Sequence, residues 1–368
     1  VLLNRRYQPD RLTYGSGAIA YEGGDFPQGA AKNQWVQQIT VGGYDADGAN
    51  NPQDGCKQVT RMCQRAARRL HLNAPCLSLR LTDETPADVI SEAAGALLSG
   101  GAHPLLLKDK ALVPALQASS DLLTTADSRD IVCDGCYEVL VAGKAEFGYS
   151  FVPVPDAIEM ALNQGRTYRD AGPVHLAGLK ASIASKPADE ISSFDEFYRI
   201  FLDHYELKLV SYYEGMLSRY GNLAKVCPSP LLSALIDGCV ETGRDLTDGG
   251  ARYKILSVMM NGISCTIDSL WVIKKLVFDD DTALTTLPEL RLALISNWGR
   301  DMKEPFFNEF DAEERNKLRA GRFDWLREQS LASPRFGQGH AEIDAFANQL
   351  TGDLVKLSRA VIERPQFK

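Results

Sequence analysis

Asp130-Ile131-Val132-Cys133-Asp134-Gly135-Cys136-Tyr137-Glu138 is the stretch of this 368-residue sequence that decides the fold. Its first four residues, Asp130–Cys133, have the pattern of a short buried strand, and a thiol and a carboxylate follow at Cys136 and Glu138. In an extended backbone, residues two apart point to the same side, so both side chains can face one bound ligand. Gly135 lets the chain turn sharply and approach a ligand closely. The stretch predicts a reactive cysteine that works with its own base.

Cys133 and Cys136 also form a C-x-x-C pattern, which is compatible with other interpretations. Such a pair can be a redox couple or half of a metal site, and a buried cysteine is most often a small apolar core residue. A redox couple would predict a reversible disulfide and would have no need of Glu138. Cys133 is therefore interpreted as a core residue or an accessory thiol. Tyr137 is either a packed aromatic or a side chain that stacks on a substrate.

The segment Gly135–Glu138 resembles the Gly-Cys-x-Glu element of the glycyl radical enzymes. This superfamily contains pyruvate formate-lyase, the radical diol and choline lyases and the arylacetate decarboxylases. Other stretches are similar to further elements of the family and occur along the chain in the family's order. Two precede Gly135–Glu138 and the rest come after it: Gln38–Gly48, Asn73–Arg80, Ala161–Gly165, Pro230–Tyr253, Ile263 and Asp268–Leu270. The resemblance covers most of the sequence, from Pro9 to Ile362.

The resemblance implies an α/β fold. The chain is expected to form part of a ten-stranded barrel with helical crossovers, built from two parallel five-stranded halves with the cysteine loop at the centre. Residues 1–368 would be a single integrated barrel region. The family's N-terminal helical region and its C-terminal glycyl radical loop are expected to be absent, since no Arg-Val-x-Gly-Tyr type segment follows Phe336 or occurs elsewhere. Val139 stands where the family usually has proline, so the loop is expected to be less rigid.

The resemblance also implies radical chemistry. A thiyl radical at Cys136, generated from a protein glycyl radical whose glycine is not in this chain, would remove a hydrogen from a small substrate. Glu138, as the base, would then deprotonate a hydroxyl and favour loss of an adjacent group, which is dehydration or a related elimination. A radical SAM activating enzyme and assembly into a homo-oligomer are implied as well. Acyl transfer is disfavoured because that branch of the family uses two adjacent cysteines, whereas Tyr137 follows Cys136.

Two other interpretations stay open. A radical arylacetate-type decarboxylase is similar at the Cys-x-Glu element. A noncatalytic or split subunit would need a separate chain that carries the radical glycine, and the missing glycine loop favours that arrangement. The sequence names no substrate.

Composition and charge are those of an ordinary soluble protein, with 45% apolar and 24% charged residues. The net charge of -8 argues against partners such as nucleic acid or an anionic membrane surface. No apolar run is long enough to span a bilayer. Eight irregularly spaced cysteines fit reduced thiols and a cytoplasmic location. Five scattered histidines suggest no ligand set, so no metal is predicted.

The first half of the sequence alternates between strand and helix patterns, and this alternation predicts a largely parallel sheet. Strands are predicted at Gln34–Val41, Cys76–Leu81, Pro104–Leu107 and Asp130–Cys133. Between them, one helix is predicted to begin at Pro86 after a Thr85 cap and to end at Gly100 and Gly101, and another to span Ala111–Gln117. In the second half, helices are predicted at Phe194–Tyr220, Pro230–Glu241, Thr266–Val277, Pro288–Asn297 and Ala341–Val361. The first of these opens on a capping box of Ser193 and Glu196 and stops at Gly221.

Overall fold

A computed structural model of the chain describes residues 38–44, 54–70, 75–100, 103–120, 122–134, 138–167, 180–219, 222–299, 313 and 321–367. The chain divides into two compact units. Unit 1 comprises Val1–Gly148 and Gly221–Ser257, and unit 2 comprises Tyr149–Tyr220 and Val258–Lys368. A single integrated barrel region stays a prediction.

Unit 1 opens with alternating strands and helices. These are β1 (Gln38–Gly42), α1 (Asp54–Leu70), β2 (Cys76–Leu81), α2 (Ala87–Leu98), β3 (Leu105–Lys108) and α3 (Asp109–Ser119). The strands form a parallel sheet in the order β1-β2-β3. Parallel strands cannot be joined by tight turns, so α1 and α2 provide the crossovers. The parallel sheet predicted from the alternation is confirmed, although residues 34–37 of the first predicted strand lie outside the described residues.

The predicted cap of α2 is wrong. Pro86 itself is the N-cap residue, with an extended backbone, and the helix begins at Ala87. The Thr85 hydroxyl instead accepts a hydrogen bond from Thr82 N at 2.9 Å, within the turn that precedes the helix. The end of the helix agrees with the prediction, because Gly100 has a φ of +91° just after the last turn; Gly101 lies outside the described residues.

A short helix and a hairpin follow the parallel sheet: α4 (Thr125–Arg129), β4 (Ile131–Asp134) and β5 (Glu138–Val141). Strands β4 and β5 are antiparallel, with Asp134 opposite Glu138 and Cys133 opposite Val139. The strand predicted at Asp130–Cys133 is confirmed with its bounds shifted by one residue, but its pairing with the strand that begins at Glu138 was not predicted. Residues 135–137, which connect the two strands, lie outside the described residues.

The next elements in the chain are β6 (Ala145–Phe151), α5 (Pro155–Leu162), a 3-10 turn (Ala188–Glu190) and the long α6 (Phe194–Arg219). Of the two hydrogen bonds of the capping box predicted for α6, the one to the Ser193 hydroxyl is confirmed. Ser193 Oγ accepts a hydrogen bond from Glu196 N, whereas the Glu196 carboxylate accepts from Ser192 N, at 3.0 Å, in place of Ser193 N. Tyr220 and Gly221, where the helix was predicted to end, lie outside the described residues.

The chain returns to unit 1 through α7 (Asn222–Val226), α8 (Pro230–Ser233), α9 (Cys239–Thr242), a 3-10 turn (Leu246–Asp248) and β7 (Tyr253–Met259), which pairs with β6. The single helix predicted over Pro230–Glu241 is wrong, because a turn separates α8 from α9. Gly238 is the N-cap residue of α9 and has a φ of +96°, a left-handed conformation that does not fit inside a continuous right-handed helix. A Cβ at this position would lie 2.8 Å from Gly250 O, so the close approach requires glycine.

Unit 2 is completed by α10 (Ile263–Ile273), a π-helical turn (Lys274–Phe278), α11 (Leu287–Ile295), α12 (Arg322–Ala332), α13 (Ala341–Ile362) and a 3-10 turn (Pro365–Phe367). These bounds confirm the last three predicted helices, with shifts at their ends. The core of the unit includes fully buried side chains from α6, α10 and α13, among them Phe197, Phe201, Tyr205, Leu270 and Leu350. Each of the phenylalanine and leucine side chains in this set contributes about 1.5–3 kcal/mol by its burial. Among the helices of the described ranges, none is both long and apolar enough to cross a bilayer.

A buried carboxylate joins α4 to later parts of unit 1. Lys144 Nζ donates to Asp127 Oδ1 at 2.6 Å, and Tyr253 OH donates to Asp127 Oδ2 at 2.5 Å. These hydrogen bonds, the Lys144 bond first, lower the pKa of the Asp127 carboxyl to about 2. Since α4 leads directly into β4, this contact helps to fix the start of the hairpin.

Replacing Asp127 by asparagine is expected to lower the free energy of unfolding at neutral pH by about 2 kcal/mol, because Lys144, Tyr253 and Thr124 lose an ionised acceptor. The pKa of the folded state is depressed, so this stabilisation is present above the unfolded pKa of about 3.9. It is lost as the pH falls through the folded pKa of about 2. Urea unfolding of the wild type and the variant should therefore differ at pH 7 and converge in acid. Asp83→Asn, which changes an exposed ion pair with Lys110, is the control; equal stability of the Asp127 variant at pH 7 would contradict the prediction.

Candidate functional site

One face of the parallel sheet carries buried polar side chains. On β2, Cys76, Ser78 and Arg80 alternate along the strand, as the sequence predicted, and all three are buried. On the neighbouring strand β1, Gln38 Nε2 donates to Ser78 Oγ at 2.9 Å, and Thr40 lies on the same face as Gln38. These five side chains are called the polar layer below. A charged and hydroxylated face inside an α/β sheet is unusual, since buried strand faces are mostly apolar.

The β4–β5 hairpin lies against the polar layer. Cys133 N donates to Thr40 Oγ1 at 3.2 Å, and Glu138, at the start of β5, is only 6% exposed. Burial raises the pKa of the Cys133 and Cys76 thiols, and the negative charge of Glu138 raises both further. The Ser78 hydroxyl, hydrogen bonded to the Cys133 thiol, acts in the opposite direction. The Glu138 carboxylate is therefore close enough to influence two buried, protonated thiols.

Arg80 forms the end of the polar layer and is 4% exposed. Its guanidinium donates to both carboxylate oxygens of Asp109, from Nε to Oδ1 at 2.9 Å and from Nη2 to Oδ2 at 2.8 Å. Its third nitrogen, Nη1, donates to the carbonyl oxygens of Arg129 at 2.6 Å and Ile131 at 3.2 Å. This buried cation is thus neutralised by one carboxylate and also bonded to the backbone that enters β4.

The amide oxygen of Gln38 is a hydrogen-bond acceptor without a partner. It is buried, and within the described part of the chain nothing donates to it. An unsatisfied buried acceptor costs about 1–3 kcal/mol, so such atoms call for an explanation. A bound molecule with a hydroxyl or ammonium group would satisfy this oxygen.

The pyruvate formate lyase-like family model matches residues 25–364. The chain belongs to this family. It is 26% identical over 270 residues to (2S)-3-sulfopropanediol dehydratase of Klebsiella oxytoca, covering 71% of this chain and 30% of that protein. It is 28% identical over 271 residues to trans-4-hydroxy-L-proline dehydratase of Clostridioides difficile, covering 70% and 33%. The 4-hydroxyphenylacetate decarboxylase glycyl radical subunit of C. difficile strain 630 is 21% identical over 343 residues, covering 86% and 36%.

Solved structures of glycyl radical enzymes have the same fold as this family member. A structure described for 1,2-propanediol dehydration in Roseburia inulinivorans has a TM-score of 0.66 and 27% identity, covering 88% of this chain and 37% of its own. The glycerol-bound, B12-independent glycerol dehydratase of Clostridium butyricum has a TM-score of 0.65 and 25% identity, covering 88% and 36%. This pyruvate formate lyase-like chain therefore spans about a third of the length of its relatives. The α/β fold and the family are confirmed, and the ten-stranded barrel stays a prediction.

The predicted site residues of this family member fall into two groups. Glu138 and Cys133 are described and buried, and the Glu138 charge is close enough to raise the pKa of the Cys133 thiol. Gly135, Cys136 and Tyr137 lie outside the described residues, so the catalytic role predicted for Cys136 stays a prediction, as does that of Glu138. In the ranges that the structure describes, no three His, Cys, Asp or Glu side chains are grouped to hold a metal ion.

Gln38, Thr40 and Asp109 were not predicted to contribute to this site. Arg80 was predicted to lie on one side of β2, without a role. A usable signal was present, because an arginine inside a strand of alternating leucines is almost never buried unless it is paired. The partner could not be identified, since Asp109 lies after a later strand and many other carboxylates were equally available.

Proposed function

We propose that this chain is the thiol-bearing part of a glycyl radical lyase that eliminates water, or a comparable leaving group, from a small hydroxylated substrate. The observation that supports this most is the burial of Glu138, whose charge is close enough to raise the pKa of the buried Cys133 and Cys76 thiols. A carboxylate removed from bulk water and placed two residues after Cys136 in sequence suits a general base. The relatives named as dehydratases point to the same class of reaction.

The proposed reaction begins at Cys136. Its thiyl radical takes a hydrogen atom from a substrate carbon that bears a hydroxyl, which forms the S–H bond and leaves a carbon radical. Glu138 accepts the proton of that hydroxyl, and the C–O bond on the neighbouring carbon breaks. The departing hydroxide takes the proton from Glu138 and leaves as water. The product radical then recovers a hydrogen atom from Cys136. A protein glycyl radical, formed by a radical SAM activating enzyme, supplies the unpaired electron when it is present.

The polar layer suits a substrate with several hydroxyl groups. Gln38 Oε1 is a buried acceptor that can accept a hydrogen bond from a substrate donor. Ser78 already accepts a hydrogen bond from the same amide, which holds the Gln38 side chain in one orientation. Cys76 and Cys133 have raised pKa values, so they present neutral thiols beside Glu138 and add no second negative charge. Together these groups favour a neutral polyol or hydroxylated amino acid.

An anaerobic assay of the activated protein tests this function. The protein is purified with any copurifying glycine-loop chain, activated, and supplied separately with glycerol, propane-1,2-diol and trans-4-hydroxy-L-proline. Formation of a dehydrated product, with exchange of substrate hydrogen at the hydroxylated carbon, is expected for at least one of them. Activated protein with a spectroscopically visible radical and no elimination from any hydroxylated substrate would contradict the proposal.

A decarboxylase is the second candidate. The observation in its favour is coverage in sequence: the 4-hydroxyphenylacetate decarboxylase subunit aligns over 86% of this chain, against 71% and 70% for the two dehydratases compared by sequence. That protein is named as a subunit, which also supports the interpretation that this chain works with a separate chain. Release of carbon dioxide from 4-hydroxyphenylacetate by the activated protein, without dehydration activity, would select this function.

A further inference from the structure

The hairpin that carries Cys133 and Glu138 is attached to the parallel sheet by side chains. Strand β4 pairs with β5 and belongs to a sheet separate from β1-β2-β3. Described contacts that join it to the parallel sheet include three hydrogen bonds: Thr40 Oγ1 accepts from Cys133 N, Arg80 Nη1 donates to the carbonyl of Ile131, and Ser78 bonds the Cys133 thiol. Directed hydrogen bonds therefore help to position the hairpin, together with the burial of Ile131 and Val141.

The geometry of these bonds requires an arginine. A guanidinium presents its donors in a rigid, planar fork. In Arg80, one edge of the fork binds Asp109, while Nη1 reaches the carbonyls of Arg129 and Ile131. These two carbonyls flank Asp130, where α4 ends and β4 begins. A lysine ammonium at this position could not serve the carboxylate and both carbonyls in one plane.

The guanidinium is itself held on several sides. Asp109 is fully buried and also accepts a hydrogen bond from Tyr44 N at 3.1 Å, which fixes the carboxylate. The backbone of Gly43 passes so close that a Cβ there would lie 2.7 Å from Arg80 Nε. The fork is thus oriented by a carboxylate, a glycine and two carbonyls, and it has little freedom to move.

We propose that Arg80 is a positioning residue, which sets the place of the β4–β5 hairpin against the polar layer and thereby the place of Glu138 at the start of β5. Its significance for catalysis rests on the proposed function, but the positioning itself does not. Simple neutralisation of Asp109 would not require hydrogen bonds to two backbone carbonyls. The structure therefore assigns Arg80 a role that a lysine at this position would not fill. Replacement of both Arg80 and Asp109 by apolar residues would not fill it either.

Thiol alkylation measures the position of the hairpin without radical or substrate. Cys133 lies on β4 and is 6% exposed, whereas Cys239, on α9 of the same unit, is 3% exposed and distant in sequence. In the full chain, modification by iodoacetamide is followed at each cysteine by peptide mapping. Reaction at Cys133 reports on the hairpin, and reaction at Cys239 reports on unfolding of the unit.

Two variants are compared with the wild type. Arg80→Lys keeps the charge, and the double variant Arg80→Met/Asp109→Leu removes both charges together, so that no unpaired charge is left in the interior. Both are expected to raise the alkylation rate of Cys133 by about tenfold or more, through local opening, with Cys239 still protected. Arg61→Lys is the matched control, because Arg61 makes a comparable pair with Asp88 on the surface and should change neither rate.

Three results would overturn the inference. Protection of Cys133 in the double variant would show that any well-packed pair suffices. Wild-type protection in Arg80→Lys would show that a charge alone suffices. Equal loss of protection at Cys133 and Cys239 would show that Arg80 holds the whole unit together and not the hairpin. Since none of these measurements involves turnover, failure of the proposed lyase function would leave the test of Arg80 intact.

Discussion

Cys136→Ser is expected to reduce turnover by about 10⁴-fold or more, because the proposed reaction has no route that avoids a sulfur-centred radical. The replacement is nearly isosteric and exchanges a thiol for a hydroxyl, whose O–H bond is too strong to take part in reversible hydrogen exchange with a substrate carbon. The far-UV circular dichroism and the unfolding midpoint should stay those of the wild type. The measurement is the rate of product formation by the activated protein under anaerobic conditions.

Cys133→Ser is the matched control for this experiment. The Cys133 side chain is buried and its thiol is hydrogen bonded to Ser78, so a hydroxyl can take its place at modest cost in stability. Turnover should fall far less than in Cys136→Ser. If both variants were equally inactive, and the wild type formed a reversible disulfide between the two cysteines, the C-x-x-C redox interpretation would replace the lyase. Full activity of Cys136→Ser would remove Cys136 from the mechanism.

Glu138→Gln is expected to reduce elimination by about 10²–10⁴-fold, the usual contribution of a general base. The amide keeps the size of the side chain but cannot accept the hydroxyl proton. Hydrogen abstraction by Cys136 does not need this carboxylate, so exchange of substrate hydrogen with solvent should persist. Mass spectrometry of recovered deuterated substrate separates the two steps. The variant should also lower the pKa of Cys133 and Cys76, because the Glu138 charge raises both.

Glu84→Gln makes the same chemical change at an exposed position in the turn after β2 and should leave elimination unaffected. Elimination at the wild-type rate in Glu138→Gln would show that another group is the base. Loss of hydrogen exchange together with elimination would mean that Glu138 is needed to form or hold the reactive thiol. The two outcomes identify different errors in the proposal.

The fold of the first half could be predicted because strand and helix patterns alternate, and parallel strands impose helical crossovers. Four helices of unit 2 were predictable for a similar reason, since long segments such as Ala341–Ile362 have a clear apolar face, whereas α5 and α12 were not predicted. Two local errors have a common cause. Pro230–Glu241 and the cap at Thr85 were judged from residue propensities, whereas the close approach of Gly238 to Gly250 and the turn at Thr82 are tertiary or local hydrogen-bonding features.

The candidate site was predictable only in part. The Cys-x-Glu spacing is local, so it indicated Glu138 directly. The polar layer depends on strand register, because Gln38 meets Ser78 only when β1 and β2 pair with Gln38 beside Cys76. The Arg80 pair likewise joins residues separated by 29 positions. One sequence contains the residues of such contacts but not the pairing that brings them together.

The division of unit 1 into two chain segments has a consequence for synthesis on the ribosome. The acceptor at Asp127 and its donor at Tyr253 are separated by 126 positions, and all of the unit 2 segment Tyr149–Tyr220 is translated between them. A nascent chain that ends before Tyr253 therefore has the hairpin and its carboxylate but cannot yet form this contact. We expect unit 1 to mature late, after residues that belong to the other unit have already emerged.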